Sequence, residues 1–208
     1  MVELLVVMAI ILVLAGLVLA TSSYVHNKGA RSRAEAEIAA MSAALENYKA
    51  DNGVYPRDYI DPANPPSPVP KGYVSPYNFT DNLNAKASGN PTNYESSSRF
   101  VYGMLSGDKN FDGKVNDQDK QNPSDATEPI PTTYYVFKLN ALSVTKDSNG
   151  NVTAVNYVKD PFGNSYGYST AGQLGGTTGY NPTFDHWSTC GNSDTNNPPN
   201  QSQWIKNW

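Results

Sequence analysis

The chain has 208 residues, a formal net charge of −4 and a single cysteine, Cys190. Its length suits one ordinary domain plus an extension. The mildly acidic balance excludes nucleic acid as the main partner, since phosphate contacts need clustered Lys and Arg, and one cysteine excludes an internal disulfide. Abundant Tyr, Gly, Pro, Asn, Ser and Thr with few charges suit a loop-rich extracellular surface better than a cytosolic enzyme.

Leu4 to Ala20 holds no charge. As a helix it is about 25 Å long, at the short end of what spans a bilayer, and Gly16 weakens it. A cleaved signal peptide needs a basic start, and here the start carries Glu3. A plain anchor leaves Glu3 unexplained, because an unpaired carboxylate in lipid costs several kcal/mol. A third reading explains it: the helix is an anchor before assembly and the core of a bundle afterwards, with Glu3 paired to a cation from a neighbouring subunit. Lys28, Arg31 and Arg33 follow the run, where anionic headgroups would meet them.

Ala34, Ile38, Met41, Leu45 and Tyr48 form one apolar stripe at helical spacing. Ala36, Ala39, Ala40, Ala43 and Ala44 raise helix propensity, and no proline precedes Pro56. The pattern predicts one helix from the N-terminus to residue 52, roughly 75 Å long. Residues 1–24 form its hydrophobic part and residues 25–52 its amphipathic part. Asn52-Gly53 and Pro56 stop it. The second half has its own domain to pack on; the first half needs lipid or identical helices.

Residues 53–208 make the globular head. DPANPPSPVPKGY reads as a loop within a Pro-, Asn- and Ser-rich stretch over 57–95, expected to cover the head, contact a neighbour, or stay solvated. Tyr134–Leu139 and Val152–Val158 read as strands, with an Asn149-Gly150 turn signal between them. Asn164–Ser169 and Thr183–Thr189 complete the expected sheet. The fold class is α+β: a long N-terminal helix packed on a small antiparallel β-sheet head with long loops.

Asp108 to Asp119 fits the EF-hand loop template. Asp108, Asn110, Asp112, Asn116 and Asp119 place oxygens at positions 1, 3, 5, 9 and 12, and Lys114 offers its backbone carbonyl at position 7. Gly113 falls where the chain must turn sharply, and Val115 is the expected apolar anchor. Alternating oxygens of this kind converge on one hard cation, so calcium is the expected cofactor, a staple for a domain without disulfides at affinities up to about millimolar. The last acid, Asp119 instead of Glu, makes the loop similar to those of dockerin modules; the alternative is a surface turn rich in Asp and Asn.

His186 and Cys190, four apart, make a poor zinc pair without further ligands. Asp185 beside His186 is no triad, since adjacent strand residues point to opposite faces. There is no nucleophile–base arrangement and no phosphate-binding glycine loop, so an enzyme is not expected. The Tyr and Trp clusters read as sheet packing and interface contacts.

Several of these stretches carry a resemblance. ELLVVMAIILVLAGLVL with the Ala/Glu/Arg helix behind it resembles the N-terminal region of type IV pilin-like proteins. ALENYKADNGVYP (Ala44–Pro56), DPFGNSYGY (Asp160–Tyr168), FDHWS (Phe184–Ser188) and WIKNW (Trp204–Trp208) are similar to segments of major pseudopilins of type II secretion systems. The matches fall in order at both ends of the chain, while residues 57–130 match poorly. The resemblance implies a precursor in the bacterial inner membrane, cut by a prepilin peptidase and methylated at its new N-terminus. It implies polymerisation into a helical homo-filament by secretion or pilus assembly machinery, ending in the periplasm or outside the cell. Glu3, with Leu4, Leu5, Val6 and Val7, matches the assembly segment, although the family's acid is usually fifth, not third. No basic leader or cleavage site is visible, so residues preceding Met1 are expected. The family also binds calcium near its C-terminus, where Asp194 is the only acid and the second aspartate has no counterpart. Long Ser/Thr/Asn-rich loops favour instead the main subunit of a type IV-like surface pilus, against which the missing cysteine pair counts. A monomeric, membrane-anchored calcium-dependent binding module is the reading from another class.

Overall fold

The computed structural model describes residues 2–57, 79–86, 89–174, 178–192, 194, 196 and 198–208, leaving out the side chains at 18–21, 23, 79, 82 and 174. Most of the Pro-rich stretch expected to be a loop lies outside the described residues.

Helix α1 runs unbroken over Val2–Asn52. Its end follows from local chemistry. Gly53 takes φ +78° and donates its N–H to the Lys49 carbonyl at 2.7 Å, a left-handed cap that glycine adopts without strain. The predicted stripe is the face that packs: Ala34, Ile38, Met41 and Leu45 are buried in the main core, and Tyr48 lies against it. From Val2 to Leu17 the described side chains are all exposed.

The head begins with the short helix α2 (Phe79–Asn82), followed by a 3₁₀ turn at Pro91–Tyr94 and helix α3 (Glu95–Ser106). Sequence pattern alone missed α3, whose Ser96-Ser97-Ser98 run has poor helix propensity. One of those serines has a tertiary role. Ser98 Oγ accepts from the Val158 N–H at 3.0 Å and donates to the Val158 carbonyl at 3.3 Å. Helix α3 ends at Gly107, φ +86°, whose N–H returns to the Gly103 carbonyl.

Among the described residues five strands follow, in two antiparallel sheets. Strands β1 (Leu142–Lys146) and β2 (Val152–Val158) form a hairpin, and β3 (Gly167–Ser169), β4 (Asp185–Ser188) and β5 (Ile205–Lys206) form a three-stranded sheet in that order. The Asn149-Gly150 turn and β2 stand where the sequence places them. The partner of β2 does not: Tyr134–Leu139 is not a strand. The Tyr134 and Tyr135 N–H groups both donate to the Leu105 carbonyl, at 2.7 and 2.9 Å, so this extended segment closes the C-terminal end of α3 and has no ladder of its own. Its aromatic residues Tyr134, Tyr135 and Phe137 pack on the core, while Val136 and Leu139 point outward.

Two motifs that carry the resemblance have plain structural causes. In the turn after β2, Asp160 Oδ1 accepts the N–H groups of Phe162 and Asn164, and Oδ2 accepts from Ser188 Oγ at 2.6 Å. That carboxylate therefore ties the turn to the end of β4. At Gly167 a Cβ would sit 2.1 Å from the Trp187 ring, so the β3–β4 pair closes only over glycine. The tail then adds β5 beside β4, with Trp204 stacked on Trp187 at 6.2 Å.

Candidate assembly helix and calcium loop

The segment expected to drive assembly is exposed. Val2, Leu4 and Leu5 are more than 70 % exposed and Val6 and Val7 about half, and Glu3 stands exposed among them. Head contacts begin at Ala30, and Arg31 Nη1 donates to the Gln203 carbonyl at 2.7 Å. The same helix thus changes environment near residue 30. Soluble monomers rarely expose contiguous apolar patches beyond a few hundred Å², and an apolar rod such as Val2–Leu17 exceeds that. Among the described residues no helix is long and apolar enough to cross a membrane.

The 108–119 loop leaves the C-terminal end of α3 and adopts a succession of Asx turns. Asp108 Oδ2 accepts from Tyr102 Oη and the Gly113 N–H, both at 2.7 Å, and Oδ1 accepts from the Asp112 N–H. Asn110 Oδ1 also accepts from Asp112, Asp112 Oδ1 from Lys114, and Asn116 Oδ1 from Gln118. Asp119, eleven residues beyond Asp108, folds back: Oδ1 accepts the Lys109 and Asn110 N–H groups and Oδ2 that of Asn116. The first and last predicted ligands are therefore brought together around one turn. Gly113 at φ +85° satisfies the sharp bend, and a Cβ there would meet Val152 at 3.1 Å.

The anchoring differs from expectation. Val115 is 37 % exposed and is not part of the main core. The loop is fixed by Phe111, whose ring packs on the main core under the Arg99 guanidinium at 4.2 Å and whose carbonyl accepts the Val155 N–H at 2.7 Å. Phe111 itself takes φ +63°, the one non-glycine left-handed residue of the loop.

Three acids gather at this loop, near the Arg99 guanidinium, whose pKa burial lowers and the Asp108 charge raises. Asp108 and Asp119 are fully buried and Asp112 is half-buried. Burial pushes the Asp108 carboxyl above its usual range; the Tyr102, Gly113 hydrogen bonds oppose this, and the charges of Asp119 and Asp112 add to the rise. Among the described residues none of these three acids is in an ion pair; the nearby pair, Lys120–Asp117 at 2.7 Å, uses an acid outside the ligand set. A divalent cation would relieve this repulsion, with Asn110, Asn116 and the Lys114 carbonyl as neutral oxygen donors. Among the described residues no three His, Cys, Asp or Glu side chains group tightly enough to hold a metal by themselves.

No protein-family model, curated protein or solved structure matches the chain.

At the C-terminal candidate, Asp194 Oδ1 accepts the Asn196 N–H and Oδ2 the Asn200 N–H, at 2.9 and 2.6 Å. These bonds hold its carboxyl below the usual range, so Asp194 caps its own turn. His186 is buried against Tyr166 and Tyr168, its Nδ1 without a hydrogen-bond partner among the described residues, and burial lowers its pKa to about 3. A neutral imidazole sealed among tyrosines is a packing residue. Cys190 is half-buried and burial raises its thiol.

Proposed function

We propose that the chain is the structural subunit of a pilin-like helical filament, a major pseudopilin of type II secretion, which waits in the inner membrane through its N-terminal helix. The observation that carries this reading is the two-part character of α1: one unbroken helix, buried by the head from Ala30 onward and exposed on all sides from Val2 to Leu17. Apolar burial is worth roughly 25 cal/mol per Å², so bundling such helices is strongly favoured. Within the bundle Glu3 selects the register, because a carboxylate in apolar surroundings is tolerable only beside a counter-charge. Calcium in the 108–119 loop is the second part of the proposal. It offsets three acids between α3 and β2 and rigidifies the outer head where no disulfide does so.

The experiment is electron microscopy of material sheared from cells producing the chain, beside the Glu3→Ala variant. Filaments containing this subunit are expected, and Glu3→Ala is expected to insert into membranes but assemble poorly. A chain that is only ever monomeric in membranes overturns the filament reading and favours the anchored calcium-dependent binding module.

A further inference from the structure

A groove of about 440 Å³ opens between the packed half of α1 and the extended segment after α3. Met41, Phe137 and Val158 line its apolar wall, and Arg33, Lys138 and Lys159 bring cations to it. Its two carboxylates are already engaged. Glu37 accepts from Tyr166 Oη at 2.7 Å, and Asp160 holds its turn and Ser188. Among the described residues the Arg33, Lys138 and Lys159 side chains make no hydrogen bond or ion pair. Beside them stand two large apolar side chains in water, Val136 at 79 % and Leu139 at 54 % exposure. Free cations and bare apolar groups on an unpaired segment describe half of an interface.

The complementary half lies on the same molecule. Arg33 and Glu35 flank buried Ala34, so they sit about 100° to either side of the packed face. From Glu35 the i+4 row runs through Ala39 to Ala43, turning from that flank toward the face opposite Ala34, all three exposed. Glu35 makes no ion pair among the described residues. One flank of α1 therefore borders cations and apolar knobs, and the other offers a carboxylate followed by small apolar steps that admit close approach.

We propose that the groove receives the Glu35–Ala39–Ala43 row of a second copy, with Glu35 meeting Arg33, Lys138 and Lys159. Two different patches on one subunit make a head-to-tail contact, which propagates into an open polymer when its rotation does not close. This contact rests on the filament reading and specifies which surfaces of the heads touch.

The test reverses charges in the full chain. Glu35→Lys alone and Lys138→Glu/Lys159→Glu together are each expected to cut sedimentable filament by about tenfold or more, because like charges then face each other. The combined variant Glu35→Lys/Lys138→Glu/Lys159→Glu is expected to recover to within about twofold of the unaltered chain. Separately, Glu35→Cys/Lys138→Cys in a Cys190→Ser background, treated with a short bis-maleimide, is expected to give a ladder of multimers. Charge variants that assemble normally overturn this contact and leave the filament reading standing. So does a combined variant as defective as its parts, or cross-linking that stops at dimers. If the unaltered chain forms no filaments, the filament reading fails, and cross-linking in membranes decides: a ladder supports the contact and its absence overturns it. Lys138 shielded from acylation by vesicles of anionic lipid, with no ladder, assigns the groove to headgroups and also overturns it.

Discussion

Tyr166 donates its hydroxyl hydrogen to Glu37 Oε2 across 2.7 Å, joining the residue before β3 to the long helix 129 positions away in sequence. The tyrosine ring is buried and Glu37 half-buried, and burial, then the hydrogen bond to Glu37, then the Glu37 charge raise the phenol far above its ordinary value. The bond is one of the ties between the head and α1, beside the Arg31–Gln203 bond and the core stripe. Tyr166→Phe leaves the carboxylate without its donor while keeping the ring. A loss of about 1–2 kcal/mol is expected in denaturant unfolding of the detergent-solubilised chain, as for a charged acceptor stripped of its partner.

Gly167 and Trp187 occupy one volume. Gly167→Ala places a methyl 2.1 Å from the indole, and neither strand can retreat without breaking the β3–β4 pair. Overpacking of this kind costs about 1–3 kcal/mol, occasionally more. The variant is expected to lower Tm and to alter the near-ultraviolet circular dichroism of the tryptophans, with the helix signal retained. An unchanged tryptophan signal contradicts the predicted clash.

Calcium should act on stability through the 108–119 loop alone. At about one hundred times its Kd a ligand specific to the folded state stabilises by roughly 2.7 kcal/mol. Addition of calcium is expected to raise Tm and slow proteolysis between α3 and β1, and chelation to reverse both. Asp108→Asn and Asp119→Asn should abolish the calcium response, whereas Asp194→Asn should leave it intact. If chelation changes neither Tm nor protease resistance, the loop is an Asp- and Asn-rich turn and nothing more.

His186 makes the fold acid-sensitive. Its folded pKa, about 3, lies below the ordinary value of 6.5, so the unfolded chain binds a proton that the folded chain refuses. Its contribution is present above pH 6.5 and is lost as pH falls through that value, at roughly 1.4 kcal/mol per pH unit. Asp108, Asp160 and Asp185 have raised values from burial. Their sign is opposite: each favours the fold below its unfolded pKa and loses that advantage as pH rises through its folded one. The difference between the unaltered chain and His186→Phe isolates the histidine. Unfolding measured from pH 7 to pH 5 is expected to show a shallower loss in the variant.

The long helix was legible because its evidence is local: an apolar run, a stripe at Ala34, Ile38, Met41, Leu45 and Tyr48, and a Gly53 stop. Strand β2 was legible for the same reason. Tyr134–Leu139 misled because aromatic and β-branched residues suit any half-buried extended chain, whether or not a neighbour completes the ladder. The choice was made elsewhere, by the Leu105 carbonyl at the end of α3, a helix that three serines hid. In the 108–119 loop, oxygen spacing picked out Asp108 and Asp119, which the fold brings around one turn, but the anchor is Phe111 and not Val115, through a backbone bond to Val155 that no spacing rule records. The cationic groove was invisible because Arg33, Lys138 and Lys159 are strangers in sequence.

The absence of a joint in α1 has a geometric consequence. With 1.5 Å and 100° per residue, the distance and the angle between Glu3 and the head are both set by a residue count. One residue inserted between Leu17 and Ala30 lengthens the rod by only about 1.5 Å but swings the head by about 100° around its own stalk. Deleting one swings it the other way. The segment between the two halves is thus a dial as well as a spacer, and the phase of the head relative to the Val2–Leu17 rod is written in its length.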